Sequence, residues 1–447
     1  MKEMKKPVKQ QNGKISRRDF LGAAAAVAAF TIVPRHVLGG PGYTPPSEKL
    51  NIAGIGLGGQ GSRDIERVGS ENIVALCDVD DQFAAGVFNT YPNARKYRDF
   101  RKMLEKEKDI DAVVIATPDH THALIAMTAI RMGKHVYCEK PLAHSIYEVR
   151  RLTEAARKHN VVTQMGIQCH ADESIRLLCE WIWAGAIGPV REVHLWSNKP
   201  ISSHAINRPK QTPPVPSTLD WDLWLGPAPE RPYHSAYHPF KWRYWWDFGT
   251  GRLGDMACHI MDPAFWALKL TSPVTVEAQT TKFNDEVYPD TAVVRYEFAA
   301  RDKLPPVTVT WYHGGIYPWR PEELEQGRNF PAEGGLYIGE KGKILIPHIA
   351  GPRLIPEEKM KSFNRPKPSL SRCDVGHYQQ WVLACKGKSK TLANFDYAGP
   401  LTEAVLLGNV AVRAGNILHW DGPNMKVTNV PEANQYLSRQ YRQGWTL

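Results

Sequence analysis

Residues 50–78 read LNIAGIGLGGQGSRDIERVGSENIVALCD, and the fold turns on that stretch. The glycines Gly54, Gly56, Gly58, Gly59 and Gly61 satisfy G-x-G-x-x-G in two registers. The register Gly56, Gly58, Gly61 is the better one, because Ile52, Ala53 and Ile55 then form a strand and Ser62 onward opens a helix. One glycine makes the tight turn, one lets the backbone approach a pyrophosphate, and one lets the helix pack on the sheet. The pyrophosphate would sit at the positive end of that helix. A second strand, Ile73–Cys77, then delivers Asp78, 17 positions after Gly61, where a carboxylate grips a ribose 2′-hydroxyl. Strand, glycines, helix, strand and acid in this order predict a dinucleotide fold.

Asp78 also discriminates between cofactors. A carboxylate accepts from a 2′-hydroxyl and repels a 2′-phosphate, and the following Val79, Asp80 and Asp81 bring no arginine, so NAD is favoured over NADP. At least one of Asp80 and Asp81 is expected to cap the next helix instead.

At 447 residues the chain is long enough for two or three domains with a substantial core. Its formal charge of +10 invites a nucleic-acid reading. However, residues 1–39 hold eight Lys or Arg against Glu3 and Asp19, which leaves only +4 on the remainder. No basic stripe interleaved with aromatics is present, so nucleic-acid binding is not expected. Ser16-Arg17-Arg18-Asp19-Phe20-Leu21 follows a basic stretch and precedes an alanine-rich apolar run to Val33, too short to span a bilayer. Paired arginines followed by Phe and Leu read as a twin-arginine export signal over 1–39. The chain is therefore expected to be periplasmic or otherwise exported, with a Pro/Gly linker over 40–47. Seven scattered cysteines without C-x-x-C suggest neither a disulfide framework nor a zinc ribbon. That pattern fits a protein that folds before export.

From 48 to about 170, β and α signals alternate: strands at Asp111–Ala116, His135–Cys138 and Val161–Met165, helices at Ala123–Met132 and Ser145–His159. The class is α/β, a doubly wound parallel sheet. After a helix from Ile175, residues 171–447 change character. Long β-branched runs at Val190–Trp196, Val274–Lys282, Thr291–Phe298, Val307–Tyr312 and Leu336–Ile346 alternate apolar with polar residues. They read as an open, mostly antiparallel sheet. Insertions at 199–240 and 313–334 are candidate site-forming loops, and helices His377–Lys386 and Leu401–Ala414 are expected to pack back towards the first domain.

Two further stretches carry chemistry. Cys138-Glu139-Lys140-Pro141 lies where the fifth strand leaves the sheet, so Lys140 can point at a group on the nicotinamide; otherwise it is a surface lysine before a proline. In Gly249–Asp262, glycines lead into a helix on which Asp255 and His259 share a face. An Asp holding a His in one tautomer is what removal of a hydroxyl proton requires. His259 as a core histidine, or Asp255, His259 and Asp262 as metal ligands, are the competing readings. Aromatics crowd Trp221 to Trp246, and Trp242 among them is a candidate for stacking on a sugar face, although most should simply pack the loop.

The order of G-x-G-x-x-G, the acid after the second strand, Ala116-Thr117-Pro118, Glu139-Lys140-Pro141 and Asp255-x-x-x-His259 resembles the glucose-fructose oxidoreductase / inositol dehydrogenase (Gfo/Idh/MocA) family. The resemblance runs from 48 to about 440 and implies a Rossmann domain followed by an α+β domain whose open sheet carries the substrate and forms homo-oligomers. By position it gives Lys140 the reacting hydroxyl, His259 the acid–base role, and Asp255 assistance to it. Glu139, Thr117, Pro118 and His122 line the nicotinamide end, with Asp119 where the family more often shows Asn. Gln168 and His170 fall near the substrate. No metal is implied.

The expected activity is NAD-dependent oxidation of a hydroxyl on a sugar, polyol or glycoside. Outside the cytoplasm free NAD is scarce, so the cofactor is expected to be tightly held. The alternative is redox-neutral cleavage or epimerisation of a glycoside through a transient keto-sugar. A sugar-binding module without turnover is the third class, opposed by the joint presence of Lys140, Asp255 and His259.

Overall fold

The computed structural model describes residues 45–198 and 207–447. The expected export segment and most of the 40–47 linker lie outside the described residues. Within the unit Leu50–Leu447, six strands come first: β1 (Asn51–Ile55), β2 (Asn72–Cys77), β3 (Arg95–Tyr97), β4 (Ala112–Ile115), β5 (His135–Glu139) and β6 (Thr163–Gly166). They form one parallel sheet in the order β3-β2-β1-β4-β5-β6. The order reverses between β1 and β4, which opens a crevice at their carboxyl ends. The central strands are buried along almost their whole length, as expected of a sheet covered on both faces.

The first helix, Gln60–Arg67, begins two residues earlier than Ser62, so Gly61 lies inside its first turn. The helix Asp119–Arg131 likewise starts four residues before Ala123. It is buried nearly all round, which erases the one-sided periodicity that marks a helix start. Helix Ile146–His159 keeps its expected N-cap: the Ser145 hydroxyl and the Glu148 side chain form a reciprocal capping box.

The second sheet has nine strands: β7 (Val190–Ser197), β8 (Thr275–Thr280), β9 (Ala292–Phe298), β10 (Val307–His313), β11 (Glu333–Gly339), β12 (Gly342–Pro347), β13 (Arg353–Ile355), β14 (Leu418–Asp421) and β15 (Lys426–Val427). Their order is β13-β12-β11-β7-β10-β9-β8-β14-β15, antiparallel except for the β7–β10 pair. The run Leu336–Ile346 is two strands, because the chain turns at Glu340–Lys341 and β12 pairs back on β11. The last long helix, Phe395–Ala414, starts six residues before Leu401. Asn394 caps it by accepting the Tyr397 N–H. This helix packs on Ile146–His159, on β8 and on the segment leading to His259, which joins the two sheets behind the crevice.

Candidate active site

The crevice opens into a cleft of about 470 Å³ lined by the carboxyl ends of β1, β2, β4 and β5 and by residues of the 223–243 region. Gly56, Gly58, Asp78, Thr117, Pro118, His122, Glu139, Lys140, Gln168, Trp242 and His259 all line it. Of the expected site residues, Gly61, Asp255 and His170 do not.

The glycine loop fits a dinucleotide. Gly56 adopts φ +81°, and a Cβ there would lie 2.7 Å from the backbone of Ala116 and Thr117. A Cβ on Gly61 would lie 1.9 Å from the Gly56 carbonyl oxygen. Only glycine lets loop and helix close this tightly, and the positive end of the helix then sits at the floor of the cleft. Asp78 stands at the end of β2, buried, accepting the Leu57 N–H at 2.6 Å and the Asp80 N–H at 3.0 Å. Burial pushes its carboxyl up against these two donors. Two oxygens with four lone pairs retain capacity for ribose hydroxyls. Asp80 caps the following turn through the N–H groups of Gln82 and Phe83. Its other oxygen contacts His238 Nε2 at 2.8 Å.

Sequence reasoning missed Arg98 here, which folding brings to the cleft from beyond β3. It is paired with Asp81. His238 and Trp445 also reach the adenosine side, from 160 and more positions away. Arg101 sits 4.3 Å from the Trp445 ring centre. No local signal marks any of these residues.

At the opposite end, the expected Asp255–His259 couple does not form. Residues Leu253–Ala257 make a π-helical turn before the α-helix Cys258–Ala267. The wider turn breaks the four-residue register on which a shared face depends. Asp255 instead takes Lys140: Nζ donates to Oδ1 at 2.8 Å and to the Asp255 carbonyl at 2.7 Å. Arg243 and Arg252 stand at 3.5 and 3.4 Å from the same carboxylate. Burial opposes the charge of both partners. Lys140 and then Arg243 nevertheless hold the Asp255 carboxyl well below the usual carboxylate range, and Asp255 and Glu139 keep Lys140 above its ordinary value. His259 reaches the cleft independently. Its Nδ1 is buried with no hydrogen-bond partner among the described residues, and burial, then the Lys140 and His348 charges, drive it well below its ordinary value.

His170 is corrected as well. Its Nδ1 contacts the Asp262 carboxylate at 2.9 Å, and its ring stacks on Trp266 at 4.5 Å, away from the cleft. Asp262 is thereby also committed away from Asp255 and His259. Gln168 does line the cleft and donates to Glu139 at 2.7 Å and to Tyr378 at 3.2 Å. Tyr378 passes the connection to Asp64 at 2.7 Å. Burial and the Asp64 charge push Glu139 up to about 8, and burial raises Asp64 to about 6. Both buried carboxyls thus favour the protonated form more than an exposed carboxyl does, Glu139 the more strongly. His122 spans the loop, its ring nitrogens 2.8 Å from the Pro141 and Thr117 carbonyls. Thr117 Oγ1 accepts from Thr121 at 2.7 Å. Most of the aromatics pack a satellite core with Trp224, Tyr237, Trp245 and Phe248. Trp242 faces the cleft beneath Arg243, whose guanidinium is 4.2 Å from the ring centre.

A parallel sheet with a glycine-lined switch point, and a fixed lysine and a histidine at its far end, define a dinucleotide-binding protein built on two sheets. Family comparison agrees with the fold. The oxidoreductase-family model for an NAD-binding Rossmann fold matches residues 50–167, and the model for the C-terminal alpha/beta domain matches 203–303. The chain belongs to the Gfo/Idh/MocA family, and its N-terminal domain is an NAD-binding Rossmann domain. It is similar to levoglucosan dehydrogenase of Pseudarthrobacter phenanthrenivorans, 27% identical over 211 residues that cover 46% of this chain and 45% of that protein. Inositol 2-dehydrogenase of Salmonella typhimurium is 31% identical over 150 residues, 33% of this chain and 44% of that protein. The chain thus spans about half the length of the curated relatives it matches. Among solved structures it resembles the WlbA dehydrogenase from Bordetella pertussis in complex with NADH and UDP-GlcNAcA. That match has a TM-score of 0.59 at 18% identity, covering 83% of this chain and 99% of that one; at this identity the likeness is one of fold.

Proposed function

We propose that this protein oxidises a hydroxyl-bearing carbon of a sugar, polyol or glycoside with NAD, and that it keeps the cofactor between turnovers. The observation that carries the reading is the placement of Lys140. Its ammonium is anchored by Asp255 at the end of the cleft, beside a neutral-leaning His259. Gly56, Gly58 and the start of helix Gln60–Arg67 would cradle the pyrophosphate, Asp78 the adenosine ribose, and Thr117, Pro118 and His122 the nicotinamide half. NAD supplies the hydride acceptor when bound. Lys140 donates a hydrogen bond to the substrate oxygen and stabilises the negative charge that develops on it. The His259 nitrogen facing the cleft accepts the hydroxyl proton, which an imidazole depressed by burial is free to do near neutral pH.

The Asp78 carboxylate, with Arg98 already engaged by Asp81, supports NAD over NADP. The open face of the second sheet, rimmed by exposed Ile316 and Trp319, supports assembly with a second copy. Export rests on Arg17 and Arg18 in the sequence alone. The test is to denature the purified protein, assay the supernatant for NAD(H), and offer the native protein a panel including levoglucosan and myo-inositol. Stoichiometric cofactor release and reduction of bound NAD by a panel member are expected. No bound cofactor and no reduction by any member would overturn the reading. Cleavage of a glycoside without net reduction would move it to redox-neutral chemistry.

A further inference from the structure

The family matches end at residues 167 and 303, yet residues 437–447 run back over the NAD-binding domain and reach the cofactor cleft at Trp445. A turn sets that side chain. The Trp445 N–H donates to the Arg442 carbonyl at 3.2 Å, and Gly444 takes φ +87°, which glycine adopts without strain. The half-buried ring has the Arg101 guanidinium 4.3 Å from its centre and the Phe100 ring at 6.4 Å. Phe100, Arg98 and Leu223 line the cleft beside it. Arg98 follows β3, whose Tyr97 carbonyl accepts the Asp78 N–H at 3.0 Å, so the group belongs to the adenosine end. A flat base with two apolar faces suits aromatic rings and a guanidinium plane.

The segment is anchored along its length. The Leu437 carbonyl accepts the Tyr147 N–H at 3.0 Å. Arg439 and Tyr441 both donate to the buried Glu148, at 2.9 and 2.6 Å. Arg442 grips the helix Trp221–Leu225 and the turn after it. Its backbone N–H donates to the Pro227 carbonyl at 3.0 Å, its Nε to the Gly226 carbonyl at 3.1 Å, and its Nη2 to the Asp222 carbonyl at 2.9 Å. That helix, which supplies Leu223, is fastened in turn to the loop after Asp78. The Asp220 N–H donates to the Val79 carbonyl at 2.8 Å, and the Asp81 N–H to the Thr218 carbonyl at 3.0 Å. Residues 218–227 and 437–447 are thus tied to each other and to the NAD-binding domain around the adenosine end. Opening that end breaks contacts of both.

We propose that Trp445 holds the adenine of NAD, and that the 437–447 segment, latched by Arg442 to residues 222–227, keeps the cofactor bound between turnovers. The inference rests on NAD being the retained cofactor of the proposed reaction. Trp445 acts on binding and release only, since it stands at the end of the cleft away from Lys140 and His259. Arg442 does not line the cleft and acts by positioning the segment.

Two measurements on the full-length holoprotein, loaded with radiolabelled NAD, test this. The first is the rate at which label is released into excess unlabelled NAD. Trp445→Ala should release it roughly tenfold faster or more, the scale for removing an aromatic ring from a bound base, Trp445→Phe should recover most of the loss, and Arg442→Ala should also release faster. The second is equilibrium displacement of the label by AMP, which carries only the adenine half, and by nicotinamide mononucleotide, which carries only the other. In Trp445→Ala, NAD and AMP lose the same contact, so the AMP concentration for half-displacement should stay put, whereas that for nicotinamide mononucleotide should fall roughly tenfold. A release rate within twofold of wild type for Trp445→Ala, or two displacement concentrations that move alike, overturns the role of Trp445. An Arg442→Ala release rate within twofold of wild type overturns the latch. A wild type that binds no NAD fails the proposed function and the adenine site with it, whereas a wild type that holds NAD no more tightly than Trp445→Ala overturns the adenine site alone.

Discussion

Replacing Asp255 by Asn tests the arrangement at the reacting end most directly. The Lys140–Asp255 contact spans 2.8 Å between side chains only 15% and 24% exposed, so solvent screens it weakly. A hydrogen bond between charged partners contributes about 1.5–3 kcal/mol under such conditions. The second Lys140 bond, to the Asp255 carbonyl at 2.7 Å, survives the substitution and keeps the ammonium nearby. The expected loss is therefore about 2 kcal/mol of transition-state stabilisation, roughly 30-fold in kcat/KM. The variant also leaves Lys140, Arg243 and Arg252 facing one another without their anion. Lys140, which Asp255 holds above its ordinary value, then gives up its proton at lower pH, and the alkaline limb of the activity profile moves down. The assay is a pair of double-mutant cycles. Asp255→Asn with Lys140→Met should be strongly non-additive, by about 2 kcal/mol, whereas Asp255→Asn with His259→Ala should add to within about 0.5 kcal/mol. Strong coupling of Asp255 to His259, together with additivity towards Lys140, would refute the geometry described here and restore an Asp–His couple.

Three other outcomes are expected. NAD(H) should bind at least tenfold more tightly than NADP(H), about 1.4 kcal/mol, and Asp78→Ala should narrow that gap; equal affinities in the wild type remove the role given to Asp78. Glu139, raised to about 8 with Asp64 at about 6, binds a proton in the folded state that an unfolded carboxyl releases near pH 4. That contribution to stability is fully present below about pH 4 and is lost as pH rises towards 8, so Glu139→Gln should flatten the fall in Tm between pH 6 and 8; an unchanged slope contradicts a buried proton on Glu139. Finally, Arg17→Lys with Arg18→Lys keeps the charge and should strand the protein in the cytoplasm, as cell fractionation would reveal; efficient export of that form would mark the segment as a general secretory signal.

The parallel sheet and its cofactor loop were legible in the sequence because they are encoded locally. Gly56 is required by the positive φ of its turn and Gly61 by its approach to the Gly56 carbonyl in the same loop, Asp78 closes the strand that follows, and the buried strands read as unbroken apolar runs. Lys140 and His259 were legible for the same reason, each marked by its immediate neighbours. What the linear pattern does not carry is which partner each side chain takes. The spacing of Asp255 and His259 suits an α-helix, but the π-helical turn at Leu253–Ala257 rotates the carboxylate onto Lys140, which lies 115 positions earlier in the chain. His170 turns to Asp262, and Arg98, His238, Tyr378 and Trp445 reach the clefts from other elements. These pairings come from packing the second sheet and the long Phe395–Ala414 helix against the first, where burial makes an unpaired charge costly and sends each one to the nearest partner the fold supplies.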